Sequence, residues 1–117
     1  MARVLLVEDE VLISMSTSML LEDEGYLVEV ASDGARGLEM ALASPPDLIV
    51  TDYMMPRMNG LDMIVELRVR GSRAPIVLAT SVPETQLPPS YSGGHDVHII
   101  KPYCAAQILE TIARLLG

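Results

Sequence analysis

Two kinds of apolar segment alternate along the chain. Short continuous runs rich in Val, Ile and Leu occupy residues 4–7, 48–50, 76–78 and 97–100, and a fifth, 26–31, is interrupted by Glu29. Runs that are apolar on both faces suit the strands of a parallel sheet covered by helices on either side. Between them lie longer segments with helical spacing. In 11–24, Leu12, Met15 and Met19 set against Glu22 and Asp23 divide a helix into an apolar and a polar face, and Gly25 follows as a natural stop. Residues 34–43 repeat the pattern up to Ser44-Pro45-Pro46, and 61–70 do so before Gly71. The last segment, 105–116, places Ile108, Leu109, Ile112, Leu115 and Leu116 on one side. Strand and helix alternating in this way predict a doubly wound α/β sheet with right-handed crossovers. The pattern breaks once. Between Ser81 and Asp96 the chain reads SVPETQLPPSYSGGHD, whose three prolines and two glycines leave room for about one helical turn.

Composition narrows this picture. A length of 117 residues suits one domain. Half the residues are apolar but there is no Trp or Phe, so the core is aliphatic, with the eight methionines read as filler. Sixteen acids against eight bases, a formal charge of −8, argue against direct nucleic-acid binding, which needs clustered Lys and Arg. The lone cysteine, Cys104, excludes an intramolecular disulfide and a cysteine-based zinc site, and is expected to be a buried or half-buried inert thiol. No apolar stretch approaches the ~20 residues that span a bilayer, and the opening MARVLLVEDE does not resemble a signal peptide. The expectation is a cytoplasmic protein without a membrane segment.

Chemistry concentrates where the runs end. In open α/β sheets ligands bind outside the carboxyl ends of the strands. There the first run delivers Glu8 and Asp9, the third Asp52, the fourth Thr80 and Ser81, the fifth Lys101. Three close carboxylates repel unless a cation joins them, and a hard ion such as Mg²⁺ (or Mn²⁺) takes oxygen ligands of this kind. A lysine beside a cation site makes sense if an anion also arrives. Cation, lysine and hydroxyl together form a clamp for a transferring phosphoryl group, with a carboxylate able to act as nucleophile.

With these residues in place, "LLVEDE", "PDLIVTDYMMPRMNG", "PIVLATS" and "IIKPY", in this order and spacing, closely resemble a response-regulator receiver domain of two-component signalling, over residues 4–116. The resemblance implies a flavodoxin-like sheet of five parallel strands in the order 2-1-3-4-5 and about five helices, the fourth short or irregular. It implies that Asp52 accepts the phosphoryl group from a histidine kinase or histidine phosphotransfer protein. Glu8, Asp9, Asp52 and the main-chain carbonyl of Tyr53 would hold the metal. Thr80 would be the switch hydroxyl, Lys101 its cationic partner, and the Lys101–Pro102 bond cis. An unknown downstream protein would read the output face, and homodimerisation through the last helix stays open.

Two features depart from the family. The aromatic switch position three residues before the lysine is His98, which titrates near neutrality. Residues 82–94 replace the usual fourth helix, and are expected to be mobile without phosphate and ordered by it, with weak amide protection over 85–92. These departures motivate an alternative, a phosphorylation-independent interaction module on the same scaffold. A small aspartyl-nucleophile phosphatase is disfavoured, because the position two after Asp52 is Met54. Taken singly, Asp9 reads as a helix cap, and His95 and His98 lack the sequence spacing of a metal site.

Overall fold

The computed structural model describes residues 1–88 and 94–117. Its strands are β1 (Arg3–Val7), β2 (Leu27–Ala31), β3 (Leu48–Thr51), β4 (Ile76–Thr80) and β5 (Val97–Ile100). All pair in parallel, in the order β2-β1-β3-β4-β5. The helices are α1 (Val11–Asp23), α2 (Gly34–Ala43), α3 (Gly60–Val69) and α4 (Ala105–Leu116). The fourth helix, expected to be short or irregular, is a single 3₁₀ turn among the described residues, Glu84–Gln86, between Pro83 and Leu87. Proline supplies no amide hydrogen to a helical ladder, so a longer helix there is disfavoured. The expectation of mobility and weak protection over 82–94 falls partly on residues 89–93, which lie outside the described residues.

Alternation along the central strands divides the core into two layers. Leu5, Val7, Ile49, Ile76 and Leu78 face α2 and α3, whose Ala41, Leu61, Ile64 and Leu67 fill that side. Val4, Leu6, Val50, Val77 and Ala79 face the opposite way, against Leu21 of α1 and Ile108 and Ile112 of α4. Each fully buried aliphatic side chain contributes roughly 1.5–3 kcal/mol, which holds the sheet between its helices without any large aromatic. The apolar stripe read in the last helix packs as expected.

Three expectations are corrected. The stripe read in α1 faces outward: Leu12, Met15 and Met19 are 82%, 56% and 64% exposed, while Ser14, Thr17 and Leu21 face the sheet. The facing of α1 follows from Leu21 in the core and from Thr17, whose hydroxyl bonds Tyr103. The methionines are not generally core filler either. Met63 is buried and Met40, Met55 and Met58 pack partly, whereas Met1, Met15, Met19 and Met54 are exposed. Cys104 is exposed, because it occupies the loop position just before α4.

Candidate functional site

Strand ends and one shaped loop build the site. Asp52 directly follows β3, and its amide donates to the Val7 carbonyl of β1 at 3.1 Å, which anchors it to the neighbouring strand end. Behind it, Tyr53 N–H donates to Asp52 Oδ1 at 2.7 Å, and Gly60 N–H donates to the Tyr53 carbonyl at 2.8 Å. Gly60 is dictated by space, since a Cβ there would lie 1.8 Å from the Asp52 carbonyl oxygen. Asn59 caps α3, accepting from Asp62 N at 2.8 Å. Arg57, at φ 67°, reaches back to Asp33, which caps α2 through Arg36 N. The loop after Asp52 is therefore stapled to α2 and α3.

Glu8 is 4% exposed and Asp52 8%. Lys101 Nζ donates to Glu8 Oε1 and, at 3.0 Å, to Asp52 Oδ2, and lies 3.9 Å from Glu10. Burial raises the Glu8 pKa above the usual carboxylate range, although Lys101 works against this. Burial opposes the Lys101 charge too, but the hydrogen bonds and negative charges of Glu8 and Asp52 together outweigh it and hold the ammonium above its ordinary value. Thr80 is buried at the end of β4, its hydroxyl 3.4 Å from Val82 N. Its carbonyl accepts from Lys101 N at 3.0 Å, which ties the two strand ends together. The Lys101–Pro102 peptide is cis.

The fold thus brings Glu8, Asp52 and Lys101 into direct contact, with Thr80 on the adjoining strand end. Asp9 is exposed and is not among the carboxylates whose oxygens already converge. The converging set is Glu8, Glu10 and Asp52, with one oxygen from each within 4.8 Å of the others. Nor does Asp9 cap α1: Glu10 is the cap residue, and no side chain bonds there. Glu10 was missed because the residue after an acidic pair reads as helix surface. His98 lies on β5 beside Leu78, removed from the acidic triplet and half-buried.

The donor set fits a hard divalent ion. Three carboxylate oxygens within 4.8 Å of one another are ligands of the type such an ion takes. The Tyr53 carbonyl has one lone pair left after accepting from Gly60.

A cleft of about 390 Å³ opens beside Asp52, walled by Glu10, Ile13, Thr17, Ser81, Lys101 and Tyr103 among others. Tyr103 Oη and Thr17 Oγ1 are 2.8 Å apart, bracing the loop after β5 against α1. Tyr103→Phe should lower stability by about 1 kcal/mol, read as a lower denaturant midpoint. Burial shifts the phenol pKa up from 10.0, and the hydrogen bond to Thr17 works against it. The neutral phenol therefore stabilises fully below 10.0, and this is lost as pH rises through the raised value. The two proteins should converge in stability at strongly alkaline pH.

Known proteins are similar to this chain in sequence and in fold. Response regulator MprA of Mycobacterium leprae is 37% identical over 117 residues, covering 97% of this chain and 50% of that protein. Transcriptional regulatory protein DltR of Streptococcus agalactiae is 37% identical over 113 residues, covering 94% of this chain and 50% of that protein. The chain thus spans about half the length of these relatives. Among solved structures, response regulator protein TrrA of Thermotoga maritima, in complex with Mg²⁺–BeF, superposes with a TM-score of 0.89. It is 28% identical, over 98% of this chain and 99% of that one. A CheY-like receiver domain protein from Methanospirillum hungatei also superposes at 0.89, with 27% identity over 99% and 94% of the two chains. The family model for the response regulator receiver domain matches residues 4–113, and the chain belongs to that family.

Proposed function

We propose that this receiver domain accepts a phosphoryl group on Asp52 from a phosphohistidine of a histidine kinase or phosphotransfer protein, and that the acyl phosphate alters what its output face binds. The observation that carries this is the buried Glu8–Asp52–Lys101 cluster at the sheet edge, open to a cleft. In the transfer, an Asp52 carboxylate oxygen forms the new bond to phosphorus. The phosphorus–nitrogen bond breaks and the donor imidazole leaves, taking up a proton. Lys101, already beside Asp52, stays to pair with the equatorial phosphoryl oxygens, and the Thr80 hydroxyl turns towards them. Asp52, Glu8, its acidic neighbours Asp9 and Glu10, and the Tyr53 carbonyl would hold Mg²⁺ or Mn²⁺. Such an ion, when bound, neutralises the carboxylates and the charge on the transferring group.

In this reading the domain promotes its own phosphorylation and hydrolysis and does not turn over a separate substrate. The domain itself contacts proteins and not nucleic acid, in keeping with its net charge of −8. No helix among the described residues is long and apolar enough to cross a membrane. A direct test is incubation with acetyl phosphate and Mg²⁺. One phosphoryl group per chain, labile to hydroxylamine and absent in EDTA, is expected; no label would leave only the phosphorylation-independent module.

The outward stripe on α1 supplies a dock for the donor. Val11 and Leu12 follow Glu10 directly, and Ile13 and Ser16 of the same helix wall the cleft. A run of exposed apolar side chains beside a reaction site suits an apolar helix face on the partner. Leu12→Asp should slow transfer from a phosphohistidine protein about tenfold or more while leaving acetyl phosphate labelling unchanged. Equal slowing with both donors would place the effect in the site instead.

A further inference from the structure

Away from the acidic edge, two imidazoles lie side by side next to the 3₁₀ turn. The rings of His95 and His98 are 6.0 Å apart between centroids and inclined by 55°. The His95 side chain is only 7% exposed, and its Nε2 sits 3.2 Å from Glu84 Oε1. A carboxylate can only accept, so the proton sits on Nε2, and in the neutral ring Nδ1 is then a bare lone pair. That Nδ1 and Nε2 of His98 are both buried, and neither has a hydrogen-bond partner among the described residues. An unsatisfied buried polar atom costs about 1–3 kcal/mol, so two such atoms on neighbouring rings favour a shared ligand.

We propose that His95 and His98, with Glu84 behind His95, form a site for a divalent ion of the zinc class. Imidazole nitrogens suit Zn²⁺, Ni²⁺ and Cu²⁺, whereas Mg²⁺ prefers oxygen, so this site is chemically distinct from the one at Asp52. A ligating histidine whose other nitrogen donates to a carboxylate is the usual support for such an ion. With metal–nitrogen bonds of about 2.0–2.1 Å, two imidazoles on one ion have centroids roughly 5 Å apart, against 6.0 Å between these rings. Water completes the coordination. The spacing of the two histidines in sequence did not suggest a metal; the turn that brings in Glu84 is what completes the group. Arg68 of α3 is committed to the Gly94 carbonyl and to Asp96. A bound ion would tie the turn that follows Thr80 to the strand that leads to Lys101.

The test uses untagged protein carrying Cys104→Ser, saturated with Mg²⁺ and titrated with ZnCl₂ by calorimetry. Imidazole nitrogens are followed in parallel by long-range ¹H–¹⁵N NMR. One Zn²⁺ per chain is expected, with shifts in both rings, and His98→Phe and Glu84→Gln should each weaken binding about tenfold or more. His98→Phe keeps a ring in place, and its melting without zinc checks that the fold is intact; His95→Asn provides a second reading. Absence of binding, affinity unchanged in His98→Phe, or zinc bound while the imidazole nitrogens stay unmoved would each overturn the proposal.

Discussion

Asp52→Asn is expected to take up no label from acetyl phosphate and Mg²⁺, a loss of at least about 1,000-fold, because an amide cannot serve as the nucleophile. The substitution keeps size and shape. The side-chain oxygen can still accept from Tyr53 N–H, as Asp52 Oδ1 does at 2.7 Å. The loop behind stays anchored through Gly60 and Asn59. Circular dichroism and melting should therefore report a folded protein, which separates lost chemistry from lost structure. Labelling that persists at one site in Asp52→Asn, mapped by mass spectrometry, would move the nucleophile elsewhere.

The second large effect concerns stability. Lys101→Met in EDTA should lower unfolding free energy by about 3–5 kcal/mol, because it leaves two buried carboxylates without their counter-charge. Domains of this size have about 5–15 kcal/mol in total, so the loss is readily seen in a denaturant curve. Excess Mg²⁺ should restore part of it by pairing with Glu8 and Asp52.

The pH dependence has a definite sign. The raised Lys101 pKa means that its stabilisation is fully present below 10.5 and lost as pH rises through the folded value. Glu8, raised by burial above 4.5, favours its protonated form when folded, so its charge weighs less as pH falls. The gap between wild type and Lys101→Met should consequently narrow on acidification from neutrality towards 4.5. Equal unfolding curves in EDTA at neutral pH would show that the Glu8–Lys101–Asp52 contacts contribute nothing to stability.

Legibility in the sequence tracked how local each cause was. The strand runs could be read because β1, β3 and β4 are apolar on both faces, a pattern that needs no partner to be recognised. Asp52, Glu8 and Lys101 could be read because a parallel sheet delivers its strand ends to one edge. The α1 stripe misled for a physical reason. Helical spacing says that Leu12, Met15 and Met19 share a face but not which face meets the sheet, and Leu21 and Thr17 decide that. Glu10 was missed in the same way, since its approach to Asp52 depends on where α1 begins over the site.

By itself the sequence determined the fold class, the strand order implied by its resemblance, and that Glu8 and Lys101 end their strands at the same edge as Asp52. Those follow from periodicity and from motifs whose spacing is set within each segment. Only the tertiary structure decided which acids face one another, that Lys101 bridges two of them, that α1 turns its apolar side outward, and that Glu84 meets His95. Each of these is a contact between segments far apart in the chain, and side-chain direction across such a gap is fixed by packing, not by local pattern.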